Sequence, residues 1–186
     1  MKEYYEMTIA GCKRQLPICT NGKGLVIAGF ILFGDVELTQ AIAKELLSKA
    51  PEFDIMIAPE AKAIPLIYEM ARQSGADDYL IARKKPKLYM RDIVEVEVKS
   101  ITTEGVQHLY ISGDDADKMR GKRVLIIDDV ISTGESLAAV EKLVNSVGGN
   151  IVGKVSVLAE GSAAERDDII FLNPLPLFDE EGDPIQ

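Results

Sequence analysis

The sequence is poor in the residues on which much enzyme chemistry is built. Its 186 residues include one histidine, His108, and two cysteines, Cys12 and Cys19. With a single histidine, neither a histidine-based triad nor a histidine-rich metal cluster is expected. Two cysteines supply neither a disulfide framework nor the four ligands of a structural zinc site. Positive charge is also short: 21 Lys+Arg against 30 Asp+Glu leave a net charge of −9. Such a chain is a poor general binder of DNA, RNA or anionic membranes, so any anion site must be a local concentration of positive charge. No apolar run approaches the roughly 18 residues needed to span a bilayer. The start, Met1-Lys2-Glu3-Tyr4-Tyr5, lacks the apolar stretch of a signal peptide. The expectation is a soluble, cytoplasmic protein with no membrane or nucleic-acid partner.

What is present is 47% hydrophobic residues, enough for one substantial core, and an alternation of short apolar runs with amphipathic stretches. Asp35 is placed to cap a helix whose Leu38, Ile42 and Leu46 share a face. Residues 54–58 form a compact run suited to a buried strand. Residues 62–73 return to helical spacing, with Pro65 in the first turn and Gly75 as the stop. Strands are expected over residues 79–82, 93–98, 106–111, 121–128, 151–158 and 169–172. A helix carrying Leu137, Val140, Val144 and Val147 ends at Gly148-Gly149. Strands alternating with helices imply parallel pairing through right-handed crossovers, hence an open, mainly parallel α/β sheet flanked by helices. Ligands in such sheets bind beyond the carboxyl ends of the strands, which directs attention to residues 58–62, 83–87 and 128–136.

Three segments at those ends carry chemistry. In Val124-Leu-Ile-Ile-Asp-Asp-Val-Ile-Ser-Thr-Gly-Glu-Ser136 a hydrophobic strand ends in Asp128 and Asp129. A turn of small residues then opens a helix. Unpaired N–H groups at a helix start suit a phosphate, and Ser132, Thr133 and Ser136 add hydroxyls. Two carboxylates beside a phosphate call for sugar hydroxyls or a magnesium ion between them. In Arg83-Lys-Lys-Pro-Lys-Leu88, extended to Arg91, five of nine residues are basic and none is acidic. The third segment is Ala58-Pro-Glu-Ala-Lys62, a strand end followed by a turn and a helix start.

The first of these resembles the ribose-phosphate-binding motif of the type I phosphoribosyltransferases, which bind 5-phosphoribosyl 1-pyrophosphate. The basic run is similar to the Arg-Lys-x-x-Lys-Leu-Pro segment of that family's adenine branch, with Tyr89 in place of proline. Residues 58–62 resemble its pyrophosphate loop, with Lys62 where arginine is common. The resemblance implies the type I fold: a small N-terminal hood (residues 1–34), a core (35–172) and a C-terminal tail (173–186) within one domain. It implies that Asp128 and Asp129 hold the ribose hydroxyls. Ser132, Thr133, Gly134, Glu135 and Ser136 would wrap the 5-phosphate, and Lys62, Arg83, Lys84 and Lys87 would take the pyrophosphate. It implies Mg2+ as cofactor, with no direct protein ligand and Asp128 and Asp129 reaching it through water, and a homodimer. Val26, Ile27 and Phe30 are hood candidates for stacking on the base, alongside an equal reading as core residues. The polar stretch of residues 100–105 is expected as a closing lid, with Glu104 as a catalytic candidate.

The activity so implied is adenine plus 5-phosphoribosyl 1-pyrophosphate to AMP and pyrophosphate, with an oxocarbenium-like transition state. The lid departs from the adenine pattern: Thr103-Glu104-Gly105 stands where Glu-Tyr-Gly is expected, which keeps xanthine and other bases open. A non-catalytic regulator that senses the same sugar phosphate is a further alternative. Residues 1–50, with six basic and five acidic side chains, show no winged helix that such a regulator would add. A signalling receiver domain is rejected, because its acidic pair belongs at the end of the first strand.

Overall fold

The computed structural model describes residues 2–20, 26–99 and 106–185. The chain opens with an antiparallel hairpin, β1 (Tyr4–Ile9) and β2 (Cys12–Thr20). Its turn, Ala10-Gly11, has positive φ at both residues (48° and 79°), the twist that lets a two-residue loop join paired strands. After β3 (Val26–Ala28) comes α1 (Val36–Lys49), where the Asp35 carboxylate accepts the Leu38 N–H at 3.1 Å. Arg14 of β2 holds that carboxylate from the other side, Nε to Oδ2 at 2.6 Å. The helix buries Leu38, Ile42, Ala43 and Leu46, the face its spacing announces.

β4 (Ile55–Pro59) leads into α2 (Ile64–Ser74), with Pro65 in the first turn and Gly75 ending it at φ +74°. β5 (Leu80–Ala82) follows, then β6 (Val94–Lys99) and β7 (Val106–Ile111), which pair antiparallel as a separate ribbon. The remaining elements are α3 (Gly113–Met119), β8 (Arg123–Ile131), α4 (Glu135–Ser146) and β9 (Asn150–Glu160). A 3₁₀ turn (Gly161–Glu165), β10 (Ile170–Leu175), β11 (Leu177–Phe178) and β12 (Pro184–Ile185) complete the chain.

The main sheet has the order β10-β9-β8-β4-β5 and every pair in it is parallel. From β4 the chain steps outward to β5, returns to β8 on the other side of β4, and continues outward. The winding direction therefore reverses between β4 and β8, and the loops leaving these two strands diverge to leave a crevice. Period-2 alternation divides the core. Met56, Ala58, Leu125 and Ile127 pack with α1 and α2, whereas Ile55, Ile57, Val124 and Ile126 pack with α4 and with Val96 and Leu109 of the ribbon. Each such side chain larger than alanine contributes about 1.5–3 kcal/mol by leaving water.

Two expectations are corrected. Residues 93–98 and 106–111 are strands, but not of the parallel sheet, because a short connection between them permits only antiparallel pairing. The expected C-terminal tail, residues 173–186, contributes strand at three places. Asn173 to Leu175 finish β10, and β11 and β12 join β1, β2 and β3 in a second sheet of order β1-β2-β3-β11-β12. The anchor is apolar: Phe178 is buried, pairs with Val26, and meets the Tyr5 ring edge-on at 5.1 Å.

The strands flanking the crevice are clasped at their starts. Arg123 of β8 reaches Asp54 through Nη2 (2.9 Å) and its backbone N–H (2.8 Å), while the Asp54 N–H donates to the Arg123 carbonyl (2.8 Å). The Arg123 guanidinium, and then its N–H, hold the Asp54 carboxyl down at about 2. A depressed carboxyl stabilises the fold above its unfolded pKa, near 4, and loses that contribution as pH falls through its folded value. Asp54→Asn should therefore melt below the unsubstituted protein at pH 7, and the gap in thermal midpoint should narrow steadily below about pH 4. A gap of constant size across that range would show that the clasp does not stabilise through charge.

Candidate active site at the β4–β8 crevice

Asp128 and Asp129 lie within β8, before its end at Ile131, and are only 6% and 5% exposed. Although adjacent strand residues ordinarily alternate between faces, the two carboxyl groups here lie close enough to interact directly. Asp128 Oδ1 accepts the Asp129 N–H at 2.9 Å. Burial, and after it the charge of Asp129, pushes the Asp128 carboxyl well above the usual range, with Lys62 pulling weakly the other way. Asp129 Oδ2 is buried and makes no hydrogen bond among the described residues; its close cation is Lys62 Nζ at 3.1 Å, an ion-pair contact.

Beyond the pair, Gly134, the residue immediately before α4, adopts φ +79°, and no side chain caps that helix. Thr133 Oγ1 stands at 3.5 Å from the Glu135 N–H, the outer limit of a hydrogen bond. A twelve-residue helix thus presents its positive end at the crevice without a side-chain cap. Ser132, Thr133 and Ser136 are exposed beside it.

The basic run closes the other side. Arg83 and Tyr110 exchange backbone hydrogen bonds of 2.8 Å in both directions, fixing the run to β7. Two of its cations and one of its backbone N–H groups converge on Glu60 of the β4–α2 loop. Arg83 Nη1 lies 3.1 Å from Oε1, the Lys84 N–H donates to Oε2 at 3.1 Å, and Lys87 Nζ is 3.5 Å from Oε1. Partial burial raises the Glu60 carboxyl. The Lys84 N–H, Lys87 and Arg83 outweigh it and set the net direction downward. Arg83 Nη2 also donates to the Tyr89 hydroxyl at 3.1 Å.

The expected site residues therefore fall into two groups joined by one loop. Lys62 turns to Asp129, and Arg83, Lys84 and Lys87 surround Glu60, two residues earlier. Glu60 was not singled out from sequence, although it is the only acid in Ala58-Pro-Glu-Ala-Lys62 and the run opposite it has no acid at all. Of the proposed base contacts, Val26 and Phe30 are buried in the core at 4% and 3% exposure, while Ile27 is half-buried. Apolar residue type alone does not separate packing from stacking. Glu104 and the rest of residues 100–105 lie outside the described residues. His108 is an ordinary strand residue whose Nδ1 lies 2.6 Å from Glu95. No helix among the described residues is long and apolar enough to cross a membrane.

A carboxyl raised on folding works against stability above its unfolded pKa, and that penalty vanishes as pH falls below it. Asp128→Asn keeps an oxygen for the Asp129 N–H and removes the buried charge. It should raise the thermal midpoint at pH 7, with the gain disappearing below about pH 4. A lower midpoint at pH 7 would mean that Asp128 is stabilised as an anion.

A model of the phosphoribosyl transferase domain matches residues 36–177. An orotate phosphoribosyltransferase of Thermoanaerobacter sp. (strain X514) is 27% identical over 149 residues, 79% of this chain and 67% of that protein. An HGPRTase-like protein 2 of Haloterrigena turkmenica is 32% identical over 152 residues, 80% of each chain. The chain spans little more than half the length of the curated adenine phosphoribosyltransferases it matches. In fold it is similar to the crystal structure of adenine phosphoribosyltransferase from Thermoanaerobacter pseudethanolicus ATCC 33223, with TM-score 0.63 and 24% identity over 92% of this chain and 95% of that one. The matched residues run from the first turn of α1 to β11, taking in the acidic pair, the turn into α4 and the basic run, and the chain belongs to the phosphoribosyl transferase domain family.

Proposed function

We propose that this protein is a purine phosphoribosyltransferase, with adenine as the first acceptor to test, forming AMP and pyrophosphate from 5-phosphoribosyl 1-pyrophosphate. The observation that carries the reading is the uncapped N-terminus of α4 directly after a buried acidic pair, facing a cluster of three cationic residues across one loop. A doubly phosphorylated pentose has the matching order of charges: an anion at each end and hydroxyls between. In this assignment the α4 turn takes the 5-phosphate, Asp128 and Asp129 accept from the ribose hydroxyls, and Arg83, Lys84 and Lys87 take the pyrophosphate, with Lys62 beside them.

The reaction breaks the bond between the anomeric carbon and the pyrophosphate oxygen and forms one to a ring nitrogen of the base, which gives up its proton. Negative charge grows on the departing pyrophosphate, and positioned cations stabilise it. No covalent nucleophile is needed, in keeping with the scarcity of cysteine and histidine. The donor set also fits a magnesium ion brought in on the pyrophosphate. Asp129 Oδ2 is a buried carboxylate oxygen without a hydrogen bond, whereas no group of three acidic, histidine or cysteine side chains among the described residues forms a cage. Asp128 and Asp129 would hold the ion through water, and when bound it would neutralise part of the pyrophosphate charge. The second sheet would supply the wall over the base.

The decisive experiment incubates purified protein with Mg2+ and the sugar phosphate against adenine, hypoxanthine, guanine, xanthine and orotate in turn. A nucleotide product from a purine is expected; binding of the sugar phosphate without product from any base would make the protein a sensor. Asp129→Asn and Lys84→Ala should each lower turnover about 100-fold or more while leaving the thermal unfolding transition cooperative. Unchanged rates in both would refute the site assignment. Glu60→Gln should tighten inhibition by pyrophosphate about fivefold, the effect of roughly 1 kcal/mol of removed like-charge repulsion. Weaker inhibition would mean that Glu60 serves chiefly to position the cations.

A further inference from the structure

The turn Ser132-Thr133-Gly134-Glu135-Ser136 contains an acid and no base, an odd composition for a loop that is to hold a dianion. A cationic donor reaches it from elsewhere in the chain. A Cβ placed on Gly134 would lie 2.7 Å from Nη1 of Arg166, so the guanidinium packs directly on the middle of the turn. Arg166 follows the 3₁₀ turn at the end of β9, outside every motif the sequence displays.

The guanidinium is held in place. Its Nε and Nη2 donate to the two oxygens of Asp168, each at 2.8 Å, and Nη1 has no acceptor among the described residues. Asp168 is gripped in turn by Lys154 of β9, whose Nζ also donates to Glu141 at 2.7 Å. Glu141 stands on α4, the helix whose start forms the turn. The chain of contacts Glu141–Lys154–Asp168–Arg166–Gly134 thus begins and ends on one helix, and fixes a cation with a spare donor against its N-terminus. Bidentate pairing to a carboxylate leaves an arginine one free edge, and planar guanidinium groups are well matched to phosphate oxygens. Gly134 is required twice: for its left-handed backbone, and because any side chain there would displace Nη1.

We propose that Arg166 is a binding residue for the ligand's 5-phosphate, donating from Nη1, with Asp168 and Lys154 as its positioning residues. This rests on the phosphoribosyltransferase reading above and adds a residue to its phosphate site. Nothing covalent is involved. The guanidinium stays charged and a phosphate oxygen accepts its N–H.

The test separates the two ends of the substrate. Calorimetry on the full chain without base would use ribose 5-phosphate, which carries only the 5-phosphate, and inorganic pyrophosphate with Mg2+, which carries only the other end. Arg166→Gln should weaken ribose 5-phosphate about tenfold or more, the loss of a charged hydrogen bond, and leave pyrophosphate within twofold. Arg166→Lys should recover part of the loss. Asp168→Asn, which loosens the guanidinium but keeps it, should weaken ribose 5-phosphate severalfold with pyrophosphate again unchanged, and it reports independently should Arg166→Gln unfold. Equal weakening of both probes, or none, in variants that still fold overturns the proposal alone, with the parent reading intact. Failure of the unsubstituted protein to bind either probe overturns both.

Discussion

Two neighbouring carboxylates buried at the centre of a sheet are the constraint around which this molecule is arranged. An ionised carboxylate taken out of water is costly unless cations or hydrogen bonds replace its hydration. Asp128 and Asp129 sit in the strand beside the reversal of winding, where loops from both directions of the sheet converge. The relief they receive is incomplete: one backbone N–H for Asp128, and Lys62 at 3.1 Å for Asp129. A core residue so placed would be a liability, and a strand of Val, Leu and Ile would pack more securely. A pair kept partly unsatisfied at the carboxyl end of a parallel sheet is instead suited to an incoming partner that brings hydroxyls or positive charge.

The same logic extends to the surrounding loops. Four cations around the crevice are already engaged with a carboxylate: Lys62 with Asp129, Arg83 and Lys87 with Glu60, and Arg166 with Asp168. In a chain with net charge −9, this arrangement holds long basic side chains in place before any ligand arrives, which lowers the ordering cost of binding. It also means that an anion binds by exchange. Glu60 lies between Arg83, the Lys84 N–H and Lys87, and in the proposed reaction its carboxylate would compete with pyrophosphate for them. Asp168 differs, because it takes two nitrogens of its guanidinium and leaves the third, Nη1, against the turn.

How far the chain could be read before its structure depended on the range of the interactions involved. Local signals were sound. Asp35 caps α1, Pro65 and Gly75 bound α2, and the run Val124 to Ile127 is the central strand, because caps, φ restrictions and hydrophobic periodicity act over a few residues. The parallel sheet and the order of its loops followed from that alternation. The first hairpin was passed over although Tyr5, Met7 and Ile9 alternate with polar residues. α3 is seven residues with three aspartates, and only Ala116 and Met119 are buried, too little for a periodic signal. β11 and β12 are two residues each, and Phe178 of β11 finds its partner at Val26, far back in the sequence. No local pattern announces a pairing of that kind.

The candidate site shows the same division. Asp128, Asp129 and the turn after them were legible because strand, acidic pair and helix start are contiguous. Glu60 and Arg166 were not, since each acquires its role from residues brought close only by the crossovers of the sheet. Val26 and Phe30 illustrate the converse. An apolar residue near a ligand-binding edge has the same composition whether it faces the ligand or the core, and burial decides. The turn into α4 combines both cases. Its hydroxyls and glycine announce a phosphate site, and Glu135 contradicts it as long as the segment is considered alone. Once Arg166 is placed against Gly134, a guanidinium from beyond β9 lies beside the turn with one nitrogen left over from its pairing to Asp168. A turn that carries an acid and no base is thus supplied with a donor that only the folded chain brings to it.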